Sequence, residues 1–353
     1  MYLEHLSLQN FRNYKKSDFH FSKDATLVVG PNTAGKTNLI EAIFFLSTGK
    51  SFRVENDEQV IKFGEGLARI RGKINSIKLE VVIVSEDFVS VRRSHQKKYF
   101  VNGVSKRRID FMGNFFVVLF SPLDLDMIVG SPALRRNFLN NVLETTDKDY
   151  RLAILEFTKG LRQRNALLER VKETGIRDEK QFEYWDTILI QTGGQITQKR
   201  EKFIEFINSG QKDIFDLAVF YDKSVISKER LLQYKASEIG AGVTLVGPHR
   251  DDFSTSMFNN TNQTTHDIKF FGSRGQQRLV ILQMKLLELE FIEKKIGERP
   301  ILLLDDIFSE LDDEHINLVL EMLGKQQTII TTTHKEFVPK KILNKMQIIS
   351  LSQ

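Results

Sequence analysis

The chain contains no cysteine. That excludes disulfides, thiolate zinc sites and a cysteine nucleophile, and it leaves the redox compartment open. No stretch approaches the ~18 consecutive apolar residues of a membrane span. No self-similarity recurs at solenoid periods, no heptad pattern runs far enough for a long coiled coil, and no aromatic motif offers a stacking platform for single-stranded bases. Neither sign of charge dominates. Fifty-one Lys and Arg face 46 Asp and Glu, a net +5, which permits nucleic-acid binding without demanding it. The start carries Glu4, Arg12, Lys15 and Lys16 with no apolar core of signal-peptide type, so the expected location is cytoplasmic. At 353 residues, 41% hydrophobic and 27% charged, the chain is long enough for two domains with a large core.

The strongest signal is Gly30-Pro31-Asn32-Thr33-Ala34-Gly35-Lys36-Thr37, followed by Asn38. Gly30, Gly35, Lys36 and Thr37 fit the phosphate-loop pattern. Ala25, Leu27, Val28 and Val29 read as a buried strand leading in, and Leu39, Ile40, Ile43, Phe44 and Leu46 as a helix leading out. Glycines let the backbone wrap around phosphates, and N–H groups of the loop and helix start point at the anion. Lys36 reaches the outer phosphates in this reading, and the Thr37 hydroxyl holds magnesium. Gly49 reads as the helix stop.

Around that unit, residues 2–10 and 17–21 alternate as a strand pair. A β-rich run covers 68–74, 77–84, 88–93 and 97–101, with Asn102-Gly103 a hairpin turn and 115–120 a further buried strand. After Pro122 the period changes. Residues 132–208 predict helices, with Leu152, Leu155, Leu161, Leu168 and Val171 on one stripe and Trp185, Ile188, Thr192, Ile196, Phe203 and Ile207 on another. A turn at 173–179 makes them a helical hairpin, with more helix to about 240. Residues 243–271 return to short strands broken by the loop 259–265. A long helix opens at Ser273–Gln276, and apolar strands follow at 301–304 and 328–330. Strands alternating with helices on this scale imply a mostly parallel sheet covered by helices.

Two more clusters carry chemistry. Leu302-Leu303-Leu304-Asp305-Asp306 delivers carboxylates at a buried strand's end. Asp305 is the expected magnesium ligand, and Asp306 the group that positions or deprotonates the attacking water. Ser273-Arg274-Gly275-Gln276-Gln277 stands at a helix start, a second anion-binding arrangement.

Taken in order, the phosphate loop, Ser273–Gln277, Asp305-Asp306, Ser309-Glu310-Leu311-Asp312 and His334 resemble an ABC-type ATPase head. More narrowly, the chain is similar to the RecF family of bacterial DNA repair proteins. Asn10-Phe11-Arg12-Asn13-Tyr14, Lys50-Ser51-Phe52-Arg53, Ser131-Pro132 with Arg135-Arg136, Gly247-Pro248-His249-Arg250-Asp251-Asp252, and Leu303 through Asp312 carry that similarity. It implies an α/β fold: a P-loop ATPase head with a mixed sheet, flanking helices and an antiparallel β subdomain, formed by residues 1–125 and 243–353. A helical arm, 126–242, is inserted. It also implies ATP and Mg2+ as cofactors, Arg12 beside the nucleotide, and an ATP-dependent head-to-tail homodimer. Ser273 and Gly275 of one copy cap the γ-phosphate held by the other. Ser309–Asp312 form the D-loop, and His334 is the switch histidine. The implied function is ATP-dependent DNA binding in gap repair and replication restart, with weak, DNA-dependent ATP hydrolysis, and with RecO, RecR and RecA as partners. Two positions depart from the family pattern. Thr33 stands where the family usually has glycine, and is strained if that position needs φ > 0. Leu123 stands where an acid usually follows the proline, with Asp124 next. No lid-loop glutamine can be assigned.

Basic clusters at Arg92-Arg93, Lys97-Lys98, Lys106-Arg107-Arg108, Arg135-Arg136 and Lys199-Arg200 are candidates for phosphate contacts, those on the β-rich segment being preferred. Rival readings are an ABC transporter ATPase subunit, another SMC-like ATPase, and a module that uses ATP only as structural glue. The short arm and the lack of Cys-x-x-Cys argue against a zinc-hook repair ATPase.

Overall fold

The computed structural model describes residues 1–86, 97–259, 264–309, 316 and 323–352. It divides into two compact units, Met1–Asp124 with Ile281–Gln353, and Leu125–Val280.

The first unit holds two sheets. Strands β1 (Leu3–Phe11), β2 (Tyr14–His20), β4 (Leu67–Ile74), β5 (Ile77–Val84), β6 (Lys97–Val101) and β7 (Val104–Lys106) form an antiparallel sheet in the order β2-β1-β4-β5-β6-β7. Alternation explains it. Leu6, Leu8, Ala68, Ile70, Val81 and Ile83 are buried, and their polar neighbours face out. The β6–β7 turn is Asn102-Gly103, both at positive φ (51° and 81°), the pairing a two-residue hairpin favours. The second sheet is parallel, ordered β14-β3-β13-β12-β8, from β3 (Ala25–Val29), β8 (Val117–Phe120), β12 (Ile301–Asp305), β13 (Thr328–Thr332) and β14 (Gln347–Ser350). The central strands β12 and β13 are buried at every position, as strands covered on both faces must be. Parallel and antiparallel strands thus sit in separate sheets. Helix α1 (Lys36–Thr48) is buried along nearly its whole length and shares the core with both. The strand expected at 88–93 lies outside the described residues.

The second unit is built on a helical hairpin, Lys148–Thr174 and Glu179–Ser209. Gly175 closes the first helix at φ 70°, and the Asp178 carboxylate caps the second, accepting from the N–H of Lys180 and Gln181. The buried stripe of the first helix is Tyr150, Ala153, Phe157, Gly160, Arg164, Leu168 and Val171. Leu152 and Leu155, expected there, are exposed. Two buried arginine and tyrosine positions displaced the apolar stripe that hydrophobicity alone suggested. Helix was also expected through residues 217–222, which instead form β9 (Leu217–Asp222). That strand pairs antiparallel with β10 (Asp252–Asn259), which pairs in turn with β11 (Thr264–Asp267). This pairing explains why residues 243–280 cluster with the helical hairpin, whereas the sequence reading grouped them with the head.

The basic pairs expected to meet phosphate here do something else. Arg135 is buried on Asp252 (2.6 Å), Arg200 is buried on Asp251 (2.7 Å), and Lys199 pairs with Asp147 (2.5 Å). Arg136 donates to the Asp251 carbonyl at 2.9 Å. A buried guanidinium is retained only with its carboxylate, so these charges hold the unit together.

Candidate functional site

The site lies at the carboxyl ends of the parallel strands, where ligands of open α/β sheets bind. Strand β3 ends at Val29 and feeds the loop 30–35. Val29 pairs with Thr332 of β13, and Thr331 pairs with Asp305 of β12. Three adjacent strands therefore deliver the loop, the carboxylates and the segment that begins at His334 to one edge.

Two glycines shape the loop. A side chain at Gly35 would meet the Asn13 amide and the Tyr14 hydroxyl at 2.8 Å, and its φ of 101° is left-handed. At Gly30 a side chain would meet the Leu351 carbonyl oxygen at 2.9 Å. Thr33 lies at φ 75°. A β-branched residue is strained there, as expected for a position that suits glycine. Pro31, Asn32 and Thr33 are exposed, and Ala34 is buried. Helix α1 follows. No side chain caps it, and no acid stands in its first turn, so its amide donors and positive dipole end favour an anion.

Lys36 is buried, and its ammonium donates to the carbonyls of Gly30 (2.7 Å) and Pro31 (3.0 Å). Burial lowers its pKa, and the nearby Asp306 and Asp305 carboxylates oppose that shift. The Thr37 hydroxyl donates to Asp305 Oδ1 at 3.2 Å, and the Thr331 hydroxyl donates to the same oxygen at 2.7 Å. Burial raises the Asp305 pKa, those two hydroxyls pull it back, and Asp306 pushes it up further. A cation beside Asp305 would oppose that shift by stabilising the carboxylate. Asp306 has φ 51°, and its N–H donates to Thr331 Oγ1 at 3.0 Å. Thr331 thus binds the Asp305 carboxylate and the Asp306 backbone and fixes their turn; a threonine run ending a buried strand was its only sequence signal.

Beneath the loop a second cluster centres on Glu41, which is fully buried on α1. Arg12 grips it with Nε (2.9 Å) and Nη2 (2.6 Å), Ser51 Oγ donates to it at 2.5 Å, and Arg53 Nη1 reaches it at 3.4 Å. Arg53 also donates to Asn38 Oδ1 (2.8 Å), and Asn38 donates to Asn13 Oδ1 (2.8 Å). Tyr14 donates to the Gly35 carbonyl at 3.0 Å. The expected neighbour Arg12 is therefore held on the helix that follows the loop, and Asn13, Tyr14, Ser51 and Arg53 gain roles as its frame. Glu41 was overlooked; its signal was an acid inside the apolar run Leu39–Ile43.

The remaining expected residues fall in different places. His334 is exposed, its N–H donating to Thr332 Oγ1 at 3.3 Å. Ser273, Arg274 and Gly275 are exposed at the start of the helix Arg274–Ile296. Ser273 Oγ accepts from the Gln276 N–H (3.2 Å), and Ser273 N–H donates to Gln276 Oε1 (2.9 Å), a reciprocal cap. Gln277 is buried and donates to the Ile268 carbonyl at 3.3 Å. Of the D-loop, Ser309 ends a short turn, while Glu310, Leu311 and Asp312 lie outside the described residues. Arg92 and Arg93 also lie outside them. Lys97 pairs with Asp57, Arg107 with Asp110 (3.0 Å), and Arg108 donates to the Thr48 carbonyl (3.1 Å), while Lys98 and Lys106 are exposed. Asp124 is engaged too: it accepts from the Ser121 N–H (2.6 Å) and pairs with Lys285 (3.2 Å).

These residues fit a magnesium nucleotide. Loop amides and Lys36 suit phosphate oxygens. The Thr37 hydroxyl and the Asp305 carboxylate are hard oxygens side by side, which suits a magnesium that takes its other ligands from phosphate and water. The two sheets, the phosphate loop and the strand-end acids define an ABC-type ATPase head. The family described as RecF/RecN/SMC N terminal domain matches residues 2–352. The chain is 35% identical over 365 residues to the DNA replication and repair protein RecF of Moorella thermoacetica, covering 99% of this chain and 95% of that one. It is 35% identical over 377 residues to RecF of an Exiguobacterium strain, covering 100% and 98%. A solved structure of the recombination mediator protein RecF with ATP superimposes with a TM-score of 0.85 at 32% identity, covering 96% of this chain and 93% of that one. An Smc head of Pyrococcus yayanosii shares the fold at a TM-score of 0.54 and 14% identity, covering 100% and 95%. The chain belongs to the RecF family.

Proposed function

We propose that this chain is an ATP-dependent DNA-binding protein of recombinational gap repair and replication restart. Its family membership and the ATP-bound RecF structure support the reading. The observation that carries it is the convergence of the loop 30–37, Thr37 and Asp305 at one sheet edge.

Gly30–Asn38 bind the nucleotide phosphates, with Lys36 turned from the loop carbonyls to the outer phosphates. Thr37 and Asp305 hold Mg2+, which when bound neutralises charge on the phosphates. Asp306 orients the attacking water and accepts its proton, and His334 hydrogen-bonds the γ-phosphate side. Arg12 steadies the helix behind the loop through Glu41. Ser273–Gln277 of a second copy complete the site, and the Ser309–Asp312 segment lies at that junction. A twofold head-to-tail dimer then makes two whole sites. Binding of ATP closes the dimer on DNA, slow hydrolysis opens it, and RecO and RecR join it in loading RecA. Phosphate contacts by Lys98, Lys106 and their neighbours give affinity without sequence preference.

The test is a titration of gapped duplex DNA with and without Mg-ATP at two salt concentrations. The reading expects affinity that rises with Mg-ATP and falls with salt. Affinity indifferent to ATP would refute the clamp.

A further inference from the structure

The outer face of the antiparallel sheet carries a row of charge that runs across the strands. Register places Lys16 of β2 opposite Gln9 of β1, Gln9 opposite Arg69 of β4, Arg69 opposite Val82 of β5, and Val82 opposite Lys98 of β6. Side chains on one face of neighbouring strands stand side by side, so these five residues form a line. Lys16, Gln9 and Lys98 are exposed, Arg69 is half-buried and Val82 between Arg69 and Lys98 is buried. At the usual spacing of about 4.8 Å between strands, the row is about 19 Å long, with a cation on every second strand.

Among the described strand residues of this face, the carboxylates lie to one side of the row. Asp18 is opposite Ser7, and Glu80 is opposite Arg71. Asp18 is paired with His5 (3.1 Å), and Glu80 binds both Arg69 (3.1 Å) and Arg71 (3.2 Å). Farther on, Glu4 pairs with Lys73 at 2.7 Å. Among the described residues Lys16 and Lys98 have no ion-pair partner. Where the row crosses β2, β1 and β4 it borders a groove of about 440 Å3, lined by Lys15, Lys16, Arg69 and Arg71 together with Gln9 and Asn10. The one acid of that groove, Glu65, accepts from the Asn10 amide at 3.1 Å.

We infer that this row is a track for the sugar-phosphate backbone of duplex DNA, which takes the charge of Lys16, Arg69 and Lys98 and the amide of Gln9. A duplex strand presents one phosphate per ~3.4 Å of helix axis, so a row this long faces about five of them. None of the exposed large hydrophobics lies on the row, so it offers neither base stacking nor an anchor for a bilayer. The inference rests on the DNA-binding reading above, and it extends the contact from Lys98 on β6 across the broad face of the sheet to Lys16 on β2.

The test is fluorescence anisotropy with a 30-base-pair duplex over a salt series, with Mg-ATP present. It compares wild type, the pair Lys16→Ala/Lys98→Ala, the triple variant that adds Arg69→Ala, and the comparator Lys180→Ala/Lys202→Ala, two exposed lysines of the helical hairpin. The pair changes only exposed side chains, so it reports even if the triple variant fails to fold. Nucleotide affinity checks each for an intact head. The expected result is a plot of log affinity against log salt that is shallower by about one unit per cation removed, equal loss on unrelated duplexes, and a comparator close to wild type. A pair with the wild-type slope and affinity would overturn the track while leaving DNA binding standing. Wild type without duplex affinity would overturn both.

Discussion

Two buried arginine–carboxylate clusters, one in each unit, show how differently the same chemistry is used. In the second unit Arg200 donates to Asp251 (2.7 Å), to the Pro248 carbonyl (2.7 Å) and to Tyr150 Oη (3.0 Å), and Asp251 also accepts from Tyr221 and from the Ser224 N–H (2.7 Å). Every member is locked by another, and both charges are buried. In the first unit Arg12 and Glu41 are as tightly joined, but the chain of bonds leads outward, through Arg53 and Asn38 to Asn13 at the phosphate loop. The backbone there is strained: Arg12 and Thr33 sit at φ 53° and 75°. A closed network specifies a fold, whereas an open, strained one positions a site.

Breaking each cluster should separate these roles. Asp251→Ala leaves Arg200 buried and unpaired, and should cost about 3–5 kcal/mol in urea unfolding, with nucleotide affinity of the surviving fold unchanged. Glu41→Ala should cost stability too, and should also weaken nucleotide binding, because Arg12, Ser51 and Arg53 lose their common acceptor. If nucleotide affinity is untouched, the outward chain of bonds is not a frame for the loop.

His249 sharpens the comparison through pH. It is half-buried beside Phe157, its Nε2 lies 3.1 Å from the Thr244 carbonyl, and burial lowers its pKa to about 4. The unfolded chain protonates this residue near pH 6.5, the folded chain only near 4, so the unfolded state binds more protons between. Stability should therefore fall as pH drops from 6.5 towards 4, by up to about 3 kcal/mol from this residue alone. His249→Gln should flatten that slope in acid unfolding measurements. Equal slopes would mean that His249 is not buried in its neutral form.

The smallest expected effect is at the loop. Thr33→Gly removes a β-branched residue from left-handed backbone, and should raise stability by about 1 kcal/mol, since relief of strain outweighs the added freedom of glycine in the unfolded chain. Thermal unfolding measures it, and lower stability would show that the loop holds Thr33 without strain.

Motifs whose chemistry depends on neighbours in the chain were legible. The phosphate loop, its strand and helix, and the turn at Asn102-Gly103 followed from local sequence, whereas the strain at Thr33 was suggested only by the glycine that the family usually has there. Partners far apart were not. Glu41 meets Arg12 only after β1 packs on α1, and Thr331 meets Asp305 only after β12 and β13 pair. Arg135 and Arg200 looked like surface charge because nothing local marks a guanidinium as buried; Asp251 and Asp252, which bury them, lie 51 or more residues away. Leu152 and Leu155 misled for the same reason, since the stripe they compete with is completed by Tyr150 and Arg164.

Residues 30–37 are proposed to bind a magnesium nucleotide through Lys36, on a frame that stands without it. Calorimetric titration of ATP, with and without Mg2+, into wild type and Lys36→Ala tests it most directly. Wild type should bind in a magnesium-dependent way, Lys36→Ala should lose about a hundredfold or more in affinity, and the unfolding midpoints without nucleotide should agree. Equal affinity in the two proteins would contradict it.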